Sequence, residues 1–266
     1  MKVKKINSPQ ISDDNLLRYN KHILLDEIDL EGIEILQQKH IAVIGLGGLG
    51  CPIAQYLVTS GLGNITLIDD DYVESTNLQR QILYMPEDIG KKKAEAAYKR
   101  LSEINPNINI HQYYERFTEN SSSLIESADL IIDATDNFKT RSLINKITLS
   151  LKKPLVMGAA IKMQGQVAVF RNDIDNEPCY RCLYPDLPNT KNTCIDSGIL
   201  GSVTGFVGTI LATECIKLLC KFGKTFESKL FLLDLNNNDF NTIKKNGGVV
   251  HMVSYKESVA LMKDGQ

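Results

Sequence analysis

Three glycines, Gly45, Gly47 and Gly50, have the spacing G-x-G-x-x-G and directly follow a short apolar run at residues 41–44. The run is typical of a buried strand, and the glycines allow the next turn to approach a phosphoryl group closely. The helix after that turn adds unpaired N–H donors and the positive end of its dipole. A second apolar run ends at Asp69, where a carboxylate hydrogen-bonds ribose hydroxyls in a βαβ unit. These residues predict a nucleotide site.

A polar and basic segment after this carboxylate favours a triphosphate over a dinucleotide. It contains Asn77, Gln79, Arg80 and Gln81. From spacing alone these are either solvated loop residues, or Arg80 reaches the phosphates with its bidentate fork. Three lysines at 91–93 begin a predicted helix. Their positive charges interact unfavourably with the positive end of the helix dipole, and a bound anion would offset this cost. Hydride transfer needs no such charge density, whereas attack on phosphorus requires charge to be neutralised as pyrophosphate leaves.

Two further carboxylates, Asp133 and Asp136, follow a third apolar run within residues 128–137. Carboxylates just past the end of a parallel strand lie in the crevice where doubly wound sheets bind ligands. Asp is also a favoured N-cap, so Asp136 is alternatively the cap of a helix predicted at 138–151. Both interpretations are open at this point.

The six cysteines are better explained as free thiols, metal ligands or nucleophiles than as disulfides, because the chain shows no secretion signal. Cys179 and Cys182 have the spacing C-x-x-C, which supplies half of the four ligands of a structural zinc site. Cys215 and Cys220 fall on an apolar helix, where buried inert thiols are usual. Cys194 lies shortly before that helix and is a candidate partly exposed thiol.

Alternating strands and helices must position these groups. The fold class that we expect is α/β: a Rossmann-like doubly wound sheet, parallel in the nucleotide-binding half and continuing into antiparallel strands. We predict one domain over 1–266, with a nucleotide-binding half at 40–151 and a C-terminal half at 152–266. Toward the C-terminus we expect a helix at 202–220, strands at 229–235 and near Val249, and a short terminal helix.

An N-terminal helical arm is predicted at 13–36, where apolar and charged positions alternate at helical spacing. By spacing alone its Arg18 and Lys21 are solvated helix charges. The balance of 30 Lys+Arg against 32 Asp+Glu gives no field that would attract nucleic acid or a membrane surface. We expect a cytoplasmic protein without membrane or nucleic-acid partners, because the apolar stretch at 199–219 is interrupted by charges.

The chain resembles the MoeB/ThiF/HesA family, bacterial relatives of ubiquitin-activating enzymes. The resemblance rests on RYNKHILL, IAVIGLGGLG, LIDDDYVESTNLQRQ, the helix start GKKK, DATDN, GAAIKMQGQ, EPCYRCLYP, NTCIDSG and VGTILATECIKLL, in family order. It implies an adenylyltransferase that uses ATP and Mg²⁺ to activate the C-terminal Gly-Gly carboxylate of a small β-grasp sulfur-carrier protein. It also implies a homodimer in which an N-terminal arginine reaches the partner's triphosphate.

Carried over by motif, the resemblance gives individual residues their roles. Gly48 matches a position at the phosphates, Asp69 the ribose ligand, and Asn77 and Arg80 the phosphate contacts of N-L-Q-R. Lys93 matches the lysine of G-x-x-K, and Asp136 the catalytic aspartate that holds magnesium. The catalytic set is then Asp136, Arg80, Lys93 and Cys194. The set expected to bind ATP comprises Gly45, Gly47, Gly48, Gly50, Asp69, Asp71, Asn77, Gln79, Arg80, Lys93, Asp136, Asn137, Lys21 and Arg18.

The chain departs from the family pattern in three places. Lys21 stands where the family has the arginine that reaches the partner's triphosphate. The compact ammonium of lysine therefore replaces a bidentate guanidinium. The second zinc-binding C-x-x-C is replaced at Val249 and Met252, and His251 alone does not complete the site, so we expect no bound zinc. At 266 residues we expect no C-terminal sulfurtransferase domain, and sulfur from a separate protein.

Three questions stay open. Cys194 matches a position that joins the carrier through sulfur in the thiamine branch, whereas other branches carry this cysteine without needing it. The sequence does not choose between the molybdopterin, thiamine and other carriers. Two other functions also remain: a non-catalytic adaptor that keeps the carrier groove without turnover, which Lys21 makes conceivable, and an NAD(P) oxidoreductase, which the phosphate cluster disfavours.

Overall fold

The computed structural model of the chain describes residues 11–184 and 198–244. Three helices lie where the helical arm is expected: α1 (Asp13–Arg18), α2 (Asn20–Ile23) and α3 (Asp29–Gln38). Helix α1 begins where it does because the Ser12 hydroxyl accepts a hydrogen bond from the backbone N–H of Asn15 at 3.3 Å. The three helices lead directly into the first strand of the sheet.

Eight strands form one sheet in the order β3-β2-β1-β4-β5-β6-β7-β8. They are β1 (His40–Ile44), β2 (Asn64–Ile68), β3 (Asn109–Tyr113), β4 (Leu130–Asp133), β5 (Leu155–Ile161), β6 (Gln164–Phe170), β7 (Lys229–Asp234) and β8 (Asp239–Lys244). The pairs from β3 through β5 are parallel, and those from β5 to β8 are antiparallel. The predicted fold class is confirmed.

Helices cover both faces of the parallel strands, which explains why those strands read as continuous apolar runs. In β1, Ile41 and Val43 pack into one core cluster, and Ala42 and Ile44 pack into the other. The remaining helices are α4 (Gly50–Thr59), α5 (Lys93–Ile104), α6 (Ser122–Ile125), α7 (Phe138–Ser150), α8 (Tyr180–Leu183) and α9 (Gly201–Cys220). Helices α3, α4, α5 and α9 contribute to the first cluster, and α6, α7 and α8 to the second.

Helix α9 is long and apolar enough, by length and composition, to cross a membrane. In this fold it packs against α4, β5 and β6, and half of it is buried. Its Glu214 is only 2% exposed and accepts a hydrogen bond from the backbone N–H of Phe226 at 2.7 Å. The helix therefore serves as a core helix of the sheet.

One predicted helix boundary is wrong, and one strand was not predicted. The helix expected directly after Gly90 begins at Lys93, because residue 92 pairs with residue 72 as an isolated bridge. The last described strand is β8, a hairpin partner of β7, and the sequence analysis did not anticipate it. The strand expected near Val249 and the terminal helix lie outside the described residues.

Candidate functional site

The glycine turn lies at the carboxyl end of β1 and has no room for a side chain at Gly45 or Gly50. Gly45 has φ +93°, and a Cβ there would lie 2.8 Å from the Ala134 carbonyl oxygen. A Cβ on Gly50 would lie 2.0 Å from the Gly45 carbonyl oxygen. A Cβ on Gly48 would lie 3.0 Å from Thr204 of α9. The turn is thus closely packed against the β4 loop and the start of α9.

This packing predicts opposite effects for two glycine-to-alanine changes. Gly50→Ala should distort the turn, destabilise the protein by several kcal/mol and lower its affinity for ATP, since backbone must move to admit the methyl group. Gly205→Ala, at a helical position with nothing within 4 Å of the added Cβ, should stabilise it by about 0.5–1 kcal/mol. Chemical denaturation and calorimetric titration with ATP measure both. Equal stability of the two variants would contradict the packing described here.

Leu46, at the tip of the turn, is held at both backbone groups. Its N–H donates to Asp69 Oδ2 at 2.6 Å, and its carbonyl accepts from the Tyr84 hydroxyl at 2.9 Å. Asp69 Oδ1 also accepts from the N–H of Asp71 at 2.8 Å. Burial raises the pKa of Asp69, and the charge of Lys93 opposes that rise. Asp69 therefore orders the glycine turn at residues 45–50, which we call the phosphate turn. It also lies at the position where a ribose ligand is expected.

Lys93 and Asp71 form an ion pair beside this carboxylate. Lys93 Nζ lies 2.8 Å from Asp71 Oδ2, and the lysine side chain is 6% exposed while that of Asp71 is 67% exposed. The backbone N–H of Lys93 also donates to the Asp71 carbonyl at 2.9 Å. Of the three lysines expected in the first turn of the helix, only Lys93 lies within α5; Lys91 and Lys92 precede it. Lys93 is therefore a buried cation beside Asp69 and Asp71.

The N-L-Q-R segment lies against the N-terminus of α9. A Cβ on Gly201 would lie 2.3 Å from the Gln79 carbonyl oxygen and 3.2 Å from the Arg80 Cα. Arg80 Nη1 and Gln79 Nε2 both donate to the Thr76 carbonyl, at 3.1 and 3.3 Å. Because Gly48 packs against the same end of α9, this segment and the phosphate turn adjoin the same end of that helix.

Asn77 has a structural task in this segment. It is 7% exposed, and its Oδ1 accepts from the backbone N–H of Glu74 at 3.2 Å, within a capping box of a short 3₁₀ turn. Its predicted contact with the phosphates stays a prediction.

Asp136 is exposed at the carboxyl end of β4, and Asn137 caps the next helix. The Asn137 side chain accepts from the backbone N–H of Thr140 at 2.9 Å. The interpretation of Asp136 as the N-cap of α7 is therefore wrong. Within the described residues, the Asp136 carboxylate makes no hydrogen bond or ion pair, so it is free to bind a ligand.

Arg18 and Lys21 are not brought to this site within one chain. Tyr19 lies between them in the sequence, and its ring packs against Gly61, just beyond the C-terminal end of α4. A Cβ added to Gly61 would lie 3.2 Å from that ring. Arg18 Nη1 donates to the carbonyl of Ile104, the last residue of α5, at 3.1 Å. Since α4 and α5 both begin at the site and run about 15–18 Å, the two cations lie at the far ends of these helices.

The C-x-x-C pair is held by one side chain of α7, Asn145. Cys179 Sγ lies 3.9 Å from Cys182 Sγ and accepts from Asn145 Nδ2 at 3.5 Å. Burial raises the pKa of the Cys179 thiol, but hydrogen bonds from Asn145 and from backbone amides of the segment bring it below its usual value.

In the part of the chain that the structure describes, this pair supplies two of the four ligands that a closed structural zinc site needs. Among residues 11–184 and 198–244, no group of three or more His, Cys, Asp or Glu side chains could hold a metal ion. The expectation of no zinc stays a prediction. Cys194, Val249, His251 and Met252 lie outside the described residues.

Three residues support the site without having been given a role from the sequence. Tyr84 holds the phosphate turn, and Thr204 packs against Gly48. Gln81 is 3% exposed, its Oε1 has no hydrogen-bond partner within the described residues, and its Nε2 would lie 3.9 Å from a Cβ on Gly47. Only Gln81 left a signal in the sequence, as a member of the polar segment.

The arrangement places a phosphate turn, a buried cation, a partly exposed arginine and a free carboxylate at the carboxyl ends of β1, β2 and β4. Such an edge binds a nucleotide in doubly wound folds. The two cations, Arg80 and Lys93, can stabilise negative charge that develops on phosphoryl oxygens. Asp136 has the oxygen ligands that Mg²⁺ prefers beside substrate phosphates.

Comparisons with known proteins show the family of the chain. The sequence profile of the ThiF family matches residues 19–248. A molybdopterin-synthase adenylyltransferase of Salmonella typhimurium is 40% identical over 88% of this chain and 94% of its own length. A sulfur carrier protein adenylyltransferase of Thermus thermophilus is 39% identical over 88% of this chain and 89% of its own length.

Two further proteins extend the comparison. The adenylyltransferase and sulfurtransferase MOCS3 of Culex quinquefasciatus is 36% identical over 96% of this chain, which spans 58% of that protein. A crystal structure of PaaA has a TM-score of 0.78 at 23% identity, covering 92% of this chain and 77% of that one. At this identity PaaA shows a shared fold.

Proposed function

The chain belongs to the ThiF family, and from that premise we propose that it is an ATP-dependent adenylyltransferase acting on the C-terminal Gly-Gly carboxylate of a small β-grasp sulfur-carrier protein. Relatives at about 40% identity carry the names molybdopterin-synthase adenylyltransferase and sulfur carrier protein adenylyltransferase. The observation that carries the proposal is the phosphate turn held by Asp69, with buried Lys93 and exposed Asp136 beside it.

In the proposed reaction a carboxylate oxygen of the carrier attacks the α-phosphorus of ATP. The new P–O bond gives an acyl-adenylate, and the bond to the β-phosphate breaks to release pyrophosphate. The phosphate turn binds the triphosphate through its N–H groups, while Arg80 and Lys93 stabilise the charge on the phosphoryl oxygens. The protein's contribution is largely positioning and electrostatics.

We propose that Asp136 holds magnesium together with the phosphates of ATP. A single exposed carboxylate fits this role, because Mg²⁺ usually binds through one or two carboxylates plus substrate phosphates and keeps several waters. When bound, the ion would neutralise charge on the leaving pyrophosphate. Cys194 belongs to the proposal only as a candidate thiol for a later sulfur link.

A homodimer is part of the proposal because Arg18 and Lys21 lie far from their own chain's site. Both residues are exposed, at the far ends of α4 and α5. In a homodimer these cations would approach the triphosphate of the partner subunit, as the family resemblance implies. We also propose a cytoplasmic location and a separate protein as the source of sulfur.

ATP–pyrophosphate exchange tests this function. The assay uses labelled pyrophosphate, Mg²⁺ and a panel of small β-grasp proteins ending in Gly-Gly, each paired with the same protein lacking its last two residues. Exchange that requires the intact carrier and is lost with EDTA is expected. Measurable ATP binding without exchange for any carrier would instead indicate a non-catalytic adaptor and contradict the proposal.

A further inference from the structure

The loop that carries Asp136 is fixed by a buried arginine and a buried aspartate. Arg141, in the second turn of α7, is 6% exposed. Its Nη2 donates to the carbonyls of Thr135 and of Gly158, the latter at 3.1 Å and within β5. No carboxylate lies within ion-pairing distance of this guanidinium in the described residues. Its hydrogen bonds thus go to backbone, and they join the loop to β5.

Asp133 holds the other polar groups of the same threonine. It is fully buried, and its Oδ1 accepts from the Thr135 backbone N–H at 2.9 Å and from the Thr135 hydroxyl at 2.6 Å. The N–H, hydroxyl and carbonyl of Thr135 are therefore all bound. Burying the polar groups of Asp133 and Arg141 is costly. Because both residues form hydrogen bonds with Thr135, they restrict the loop strongly.

Asp136 lies between two fixed residues and is itself unengaged. Thr135 precedes it, and Asn137 follows it as the N-cap of α7. Its own side chain is exposed. The backbone from which the carboxylate projects is therefore held on both sides, while the carboxylate remains available.

We propose that Arg141, Asp133 and Thr135 are positioning residues that set the orientation of Asp136 toward the nucleotide. The inference rests on the proposed function and adds to it three residues that need not touch ATP or the carrier. Catalysis by positioning is sensitive to displacements of about 1 Å, which can cost on the order of 100-fold in rate. The hydrogen bonds of Arg141 and Asp133 with Thr135, which we call the clamp, prevent such displacements in an exposed loop.

Thr135 offers the cleanest test, because changing it leaves both buried charges in place. Thr135→Val keeps the shape but loses the hydroxyl, whereas Thr135→Ser keeps the hydroxyl. We expect Thr135→Val to lower kcat of carrier-dependent exchange by about 10-fold or more, with KM for ATP nearly unchanged and a higher Mg²⁺ concentration needed for half-maximal rate. Thr135→Ser should stay close to the unmodified protein.

Arg141→Lys extends the test to the guanidinium, since lysine keeps the charge but has one ammonium in place of the fork. Its kcat should fall by about 10- to 100-fold. Hydrogen exchange of residues 133–137, followed by mass spectrometry, should be faster in both Thr135→Val and Arg141→Lys than in the unmodified protein. Thermal unfolding identifies any variant that has lost its fold.

The outcomes are separable. Unchanged kcat and Mg²⁺ dependence in folded Thr135→Val would overturn the positioning role while leaving the proposed function intact. An unmodified protein that shows no exchange with any carrier would contradict the proposed function itself, and the hydrogen-exchange rates would then still show whether the clamp holds the loop.

Discussion

Asp136→Asn is expected to lower carrier-dependent ATP–pyrophosphate exchange by about 100- to 1,000-fold without unfolding the protein. The substitution removes the negative charge that we propose holds magnesium and keeps the size of the side chain. Stability should change by less than about 0.5 kcal/mol, because Asp136 is exposed and Asn137 caps the helix.

Asp175→Asn is the matched control for this variant. Asp175 is also an exposed aspartate, 80% exposed at its side chain, and it pairs with Lys152 on the surface. Its exchange rate and unfolding temperature should match those of the unmodified protein. Exchange retained by Asp136→Asn at the unmodified rate would remove Asp136 from the catalytic set.

Lys93→Gln should weaken ATP binding and lower exchange by about 100-fold. Its ammonium is the buried cation beside Asp69 and Asp71, and its loss leaves two carboxylates that repel a triphosphate. Lys92→Gln is the control, because that neighbouring side chain is 36% exposed and its ammonium pairs with Glu95 at 3.0 Å. Calorimetric titration with ATP compares the two variants.

The same variant should change the pH dependence. The charge of Lys93 lowers the pKa of Asp69 against the rise caused by burial, so removing that charge raises the pKa of Asp69 further. A carboxyl with a higher pKa is protonated at higher pH. The acidic limb of ATP binding should therefore move to higher pH in Lys93→Gln, and an unmoved limb would show that Asp69 does not act in binding.

Much of the nucleotide-binding half was predictable, because its signals are local. Apolar runs bounded by glycine predicted β1 and β2. Motif spacing predicted that Asp69, Lys93 and Asp136 lie at one edge of the sheet. Parallel strands that are buried on both faces leave this strong signal in any sequence. The family was identified on the same segments.

The rest depended on contacts between distant residues. Nothing near Tyr84 in the sequence indicates that its hydroxyl binds the Leu46 carbonyl 38 positions away. From the sequence, Asp136 could be a ligand-binding carboxylate or the N-cap of α7, and only the structure shows that the neighbouring Asn137 is the cap. The position of Lys21 beyond the far end of α4 likewise follows from packing, not from helical spacing.

Adenylation of a carrier is measured directly as the mass of the intact carrier after incubation with this protein, ATP and Mg²⁺. Inorganic pyrophosphatase is included so that adenylation is not reversed. We expect a carrier heavier by one AMP group, formed only when the C-terminal Gly-Gly is present and not formed by Asp136→Asn. A carrier of unchanged mass for every Gly-Gly protein that binds, despite bound ATP, would contradict it.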